Sequence, residues 1–160
     1  MAIKVTDLIT TLRSTIGDED IDNYTYTNEQ LRDVKIPAGL SGYNQEMFQQ
    51  YEILGTGDTA YFNPDPGIDI QNLLILFSAL HIISGERLDS ARNALVYSNP
   101  AGRTDLTQVA KALASQEKNI RSQIDQIKNR LGDKLLNDDI KADDLSHQKD
   151  LLAEGETSDT

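Results

Sequence analysis

The sequence predicts an all-α protein, a helical bundle of about four helices with a small β-hairpin or irregular insertion and an extended C-terminal tail. Three observations point there. Apolar residues recur at threes and fours in separate stretches, residues that start and stop helices bracket those stretches, and only two short runs read as β-prone. Composition then shifts sharply after Gly132.

In the first stretch, Leu8, Ile9, Leu12 and Ile16 line one helix face, with Thr6 as the expected N-cap and Gly17 as a left-handed stop. The second helix opens at Thr27, because Thr27 and Gln30 have capping-box spacing and Leu31 and Val34 follow on one side. Pro37 and Gly39 are expected to interrupt it, and "NQEMFQQY" reads as a further helical turn. Tyr51–Leu54 and Thr59–Phe62 flank a Gly-Thr-Gly-Asp turn and predict a hairpin, closed by Pro64 and Pro66.

Asp69 is the expected cap of an apolar helix starting near Ile70 and running past Gly85, where a bend is possible by sequence, towards Leu95. Its apolar run Leu73–Ile83 is shorter than the roughly 20 residues a bilayer span takes, so a buried or subunit-interface helix is expected. "SNPAG" has the residues of a type I turn. The last strong helix opens at Thr104 or Asp105. It carries Leu106, Val109, Leu113, Ile120, Ile124, Ile127 and Leu131, with Gln116 and Glu117 as a polar gap. Glu117 with Arg121, and Asp125 with Lys128, are spaced to pair along its exposed face.

Two regions follow: 1–132 as a helical domain and 133–160 as an acidic tail expected to order only on assembly. The tail contributes −6 of the chain's −11 net charge. Within it, Leu135, Leu136, Ile140, Leu145, Leu151 and Leu152 are too sparse for a core but sufficient to dock on a partner.

Charge and composition exclude several function classes. A net −11 opposes nonspecific binding to nucleic-acid phosphates. Absence of cysteine removes thiolate catalysis, disulfides and Cys-ligated zinc. The N-terminus lacks the continuous apolar stretch of a signal peptide. "GTG" and "AGRT" are too short for a phosphate cradle, and no nucleophile motif surrounds a serine, so neither catalytic residues nor a cofactor is expected. His81 has no metal-ligating neighbour at i+3 or i+4 and reads as a core or interface histidine, and His147 as a surface residue.

The stretch "GDEDIDNYTYTNEQL" places Asp18, Asp20, Asp22 and Glu29 at positions 1, 3, 5 and 12 of a calcium loop. Position 6, normally glycine, is Asn23; position 8 is Thr25; no second loop occurs. These four are weak metal candidates beside the simpler reading of a solvated acidic loop joining two helices.

"DLITTLRSTIGDED" followed by "YTYTNEQLRDV" resembles the opening of bacteriophage head-to-tail connector (adaptor, or head-completion) proteins. Downstream, "LLILFSALHIISGERLDSARNALVYSNPAGRTDLTQVAKALASQEKNI" is similar to that family's apolar third helix, polar turn and long last helix. The resemblance covers roughly residues 5 to 131. It implies a virion protein of the neck, assembled in host cytoplasm, forming a twelvefold ring with copies of itself beneath the portal. Its partners would be the portal protein and a downstream neck or tail component. DNA would pass through the channel without specific binding, and no membrane is involved. Two alternatives from other classes stay open: a calcium-responsive helical module built on Asp18–Glu29, and an acidic cellular adaptor or inhibitor.

Overall fold

The computed structural model describes the backbone of residues 2–96 and 103–154 and the side chains of 2–92 and 108–133. The expected "SNPAG" turn lies outside the described residues, as does all of "EGETSDT" beyond Glu154. The chain divides into two compact units, Met1–Ile124 and Asp125–Thr160.

A 3-10 turn, Val5–Leu8, leads into α1, Ile9–Ile16. The expected cap Thr6 is displaced to Lys4: the Asp7 carboxylate accepts the Lys4 backbone N–H at 2.9 Å, because the chain already turns at Val5, four residues before the α-helix begins. Gly17 stops α1 at φ 79°, the left-handed conformation that glycine enters without a Cβ clash.

Helix α2 is continuous through three segments: an α-turn Asn28–Gln30, a π segment Leu31–Lys35, and an α-helix Ile36–Met47. The Thr27 hydroxyl accepts the Gln30 N–H while the Gln30 side chain accepts the Thr27 N–H, completing the capping box. Pro37 and Gly39 do not interrupt the helix. Pro37 has no N–H to give and its ring crowds the preceding turn, and the wider π turn, closed by Ile36 N–H to the Leu31 carbonyl, absorbs both problems. The π turn also changes the phase of the buried face. Leu31 and Ile36, five apart, are buried, while Val34 is turned out at 56% exposure, contrary to the 3.6-residue reading.

Gly39 serves the packing instead. A Cβ there would lie 2.6 Å from the Ser78 backbone and clash with its hydroxyl, so only glycine lets α2 come this close to the next helix. That helix, α3, spans Ile68–Val96 and continues through Gly85. It starts two residues earlier than expected, leaving Asp69 inside the first turn, where the helix dipole favours a carboxylate. The Gly67 carbonyl accepts the Ile70 and Gln71 N–H groups at 3.0 and 2.9 Å.

Between α2 and α3, β1 (Glu52–Leu54) and β2 (Tyr61–Asn63) pair antiparallel, with Ile53 opposite Phe62. The N-terminal segment joins their free edge through Val5 N–H to Ala60 and Phe62 N–H to Ile3. Phe62 is thereby buried with Val5.

Leu73 to Ala79 are buried on every side of α3, which packs against α1 and α2. By length and composition the Ile68–Arg92 part of α3 could cross a membrane, but more than half of its most apolar window is buried inside the fold, as in a core helix. The run is not uniformly covered: His81 is exposed rather than a core residue, and with the half-buried Leu80 it borders open space beside α2.

Helix α4, Arg103–Glu154, does not end at Gly132. Gly132 keeps a helical φ, and the roughly 1 kcal/mol that an interior glycine costs is small beside the good helix formers on either side. In the first unit, Ile120 and Ile124 supply its buried apolar contacts.

Candidate interaction surfaces

The loop between α1 and α2 is organised by a buried ion pair. The Arg13 guanidinium donates to Asp18, and each side chain is only 7% exposed. Asp18 also accepts the Thr25 N–H at 2.7 Å and the Tyr26 N–H at 3.4 Å. Arg13 in turn donates to the Tyr26 carbonyl and the Asn28 side chain, and stacks over the Tyr24 ring. Asp18 is therefore not the solvated residue that an ordinary acidic loop suggests.

The four residues with calcium-loop spacing do not converge. Asp18 points inward at Arg13, Asp20 accepts the Asp22 N–H in a tight local turn, and Glu29 lies in the first turn of α2. Among the described residues no group of three His, Asp or Glu side chains is placed to hold a metal ion.

Tyr26 ties this joint to α3 by donating its hydroxyl to Glu86 at 2.8 Å. Burial raises the phenol's pKa well above its ordinary value, and the Glu86 carboxylate, as hydrogen-bond acceptor and as nearby charge, adds to the shift. The loop is thus bound both to α1 and to the central helix.

A second polar lock holds α4 in the first unit. Glu117 is 8% exposed, not part of an exposed face, and it pairs with Arg121 at 3.0 Å as the i, i+4 spacing predicts. Arg87 of α3 stands 3.0 Å from the other carboxylate oxygen, near enough to pair although not aligned for a hydrogen bond. That third partner comes from 30 positions away and has no local sequence signal.

Alongside lies a cleft of ≈ 510 Å³. Gly39 and Gly42 of α2 leave room on one side; Phe77, Leu80 and Ser84 of α3 form the other; His81, Glu46 and Arg121 are its ionisable groups. A Cβ at Gly42 would only touch the Phe77 ring, at 3.6 Å. The spacing of Gly39 and Gly42 in a helix is the one sequence signal that could have located it.

The most exposed large apolar side chain described is Phe48, at 93%. It ends α2 at φ 52°, ψ 38°, a left-handed conformation unfavourable for a bulky side chain. Asn44 fixes this corner: its backbone carbonyl accepts the Gln49 N–H, and its side-chain amide bridges the Tyr51 carbonyl and N–H at 2.7 and 3.1 Å. Tyr51 packs edge-on against Tyr43, and Tyr43 against Phe77, with 5.9 Å between centroids in both pairs. A chain of rings therefore braces the corner against the core.

Charge is distributed unevenly around these features. Residues 36–86 contain six Asp or Glu and no Lys or Arg. The proposed docking residues Leu135, Leu136, Ile140, Leu145, Leu151 and Leu152 lie on the α4 backbone in the second unit, and their side chains lie outside the described residues. No protein-family model, curated protein or solved structure matches this chain.

Proposed function

We propose that this chain is a structural subunit of a bacteriophage head-to-tail connector, forming a ring between the portal and the neck or tail. There it extends the DNA channel and offers a docking surface to the next tail component. The observation that carries the reading is the order of elements: a short amphipathic helix stopped at Gly17, a capped second helix, a central apolar helix and a long last helix. The connector resemblance implies the same succession.

Two further properties support it. A ring subunit needs apolar groups left uncovered in the isolated chain, and Phe48, Val34 and Leu88 are such groups. The net charge of −11 suits a passage through which DNA slides, since carboxylates facing the lumen would repel phosphate. The role involves no bond-breaking chemistry and no cofactor.

The test is electron microscopy of the protein mixed with its portal. A ring of added density below the portal is the expected result; a portal unchanged at saturating protein would overturn the proposal. Removing residues 133–160 should abolish joining to portal-bearing capsids while the helical domain stays folded by circular dichroism. Unchanged joining would remove the tail from the docking role.

A further inference from the structure

We infer that the second half of α4 pairs antiparallel with the same stretch of a second copy, a two-fold contact that covers part of the docking tail until the portal competes for it. The inference rests on the tail reading above and adds a resting state to it.

The second unit contains one described element, α4 from Asp125 to Glu154. A helix draws most of its stability from packing an amphipathic face rather than from propensity. Such a face is present. Ile120 and Ile124 are buried, Ile127 and Leu131 on the same stripe are half-buried, and positions Leu135, Ala142, Leu145 and Leu152 continue it at helical spacing. Among the described residues of the second unit, no other helix or strand is present to cover the stripe. Positions Leu136, Ile140 and Leu151 fall on the opposite side of the helix.

Charge selects both the occupant and its direction. Residues 125–134 carry three Lys or Arg against two Asp, whereas 135–154 carry two Lys against six Asp or Glu. A parallel pair sets acidic end on acidic end. An antiparallel pair sets each acidic end beside the cationic start of the other copy, and the excess on each side survives whatever ion pairs form within one helix. The same overlap suits the stripe. With Asp125–Glu154 laid fully against itself, Ile127 stands opposite Leu152 of the second copy, and Leu135 beside its Leu145. Asp138, which interrupts the stripe, stands opposite Lys141 of the second copy; in a parallel pair it meets another Asp138. The apolar stripe supplies the affinity and the charges fix the direction. Because the contact is isologous, two copies satisfy it and it cannot propagate into a ring, so the pair must open as a ring forms.

By sedimentation velocity the parent should form a dimer, and Leu135→Gln combined with Leu145→Gln should weaken it at least about tenfold. Glutamine keeps the charge and nearly the helix propensity of leucine. Leu136→Gln combined with Ile140→Gln takes similar apolar surface from the opposite side and should leave the dimer unchanged. Equal loss in both variants, no loss in the first, or a parent that stays monomeric across the concentration series overturns the inference. The cysteine-free chain allows the direction to be read separately with spin labels. Chains labelled at Lys128→Cys mixed with chains labelled at Lys149→Cys should give a shorter distance than either chain alone. The shorter distance in each chain alone means a parallel pair and overturns the inference. Adding the portal should abolish the short mixed distance, and its persistence in the ring overturns the masking role. If the parent pairs this way yet adds no ring to the portal, the connector reading fails and the pairing stands; if a wholly monomeric parent adds a ring, the pairing fails and the connector reading stands.

Discussion

At the scale of single residues, the buried pair Arg13–Asp18 is the most consequential local feature. Removing one member leaves the other charge in a site closed to water, a loss of about 3–5 kcal/mol for a buried pair. Arg13→Ala should therefore lower the denaturant midpoint markedly, whereas Asp20→Ala in the same loop should change it little. Because Asp18 is committed to Arg13, calcium should leave the melting temperature unchanged; a rise with added calcium would return the acidic loop to consideration as a metal site. Tyr26 makes a pH-dependent contribution whose sign follows from its raised pKa. The folded state keeps the phenol proton more firmly than the unfolded chain, so the contribution is complete below the ordinary phenol value near 10 and is lost as pH rises above it. Burial also raises Tyr43 and Tyr51, so the parent should lose stability in alkali. Tyr26→Phe should lose it less steeply in denaturant titrations above that pH.

At the scale of elements, α2 decides how the bundle packs. Its start is local chemistry: Thr27→Ala should cost about 1 kcal/mol by removing one half of the capping box. Its middle is set by contact with α3. Gly39→Ala forces a methyl group against the Ser78 backbone, which cannot give way as a flexible side chain would, and overpacking of this kind costs about 1–3 kcal/mol. Gly42→Ala, three residues on, meets only a ring edge at ordinary distance and should be near neutral. A calorimetric comparison of the two separates close helix approach from the general helix-stabilising effect of replacing glycine.

At the scale of the whole molecule, uncovered aromatic surface and acidity have to be reconciled. Copies carrying a net −11 repel, so contacts between them should strengthen with salt, which screens the repulsion, while apolar contacts such as Phe48 persist. Self-association that increases with ionic strength is the expected outcome in sedimentation; a steep decrease would point instead to an interface dominated by opposite charges. The uneven distribution matters as much as the total, because residues 36–86 carry no Lys or Arg to offset their six carboxylates, and the Arg13 cation of α1 is already committed to Asp18.

Features governed by neighbours in the chain follow from the amino-acid order alone. The Gly17 stop, the Thr27–Gln30 capping box, the hairpin around the Gly-Thr-Gly-Asp turn and the apolar identity of α3 each depend on a few adjacent residues, and each was legible. The remaining features depend on packing between distant segments. Pro37 and Gly39 read locally as breakers, but a π turn accommodates one and the close approach of Ser78 requires the other. Asp18 and Glu117 read as solvent-facing acids, but arginines at positions 13 and 87 bury them, the second from a helix whose packing no local spacing specifies. The cleft and the Phe48 corner belong to this second class. Periodicity reports which face of a helix is apolar; which apolar groups remain uncovered depends on how far the other helices reach, and that is a property of the packed unit.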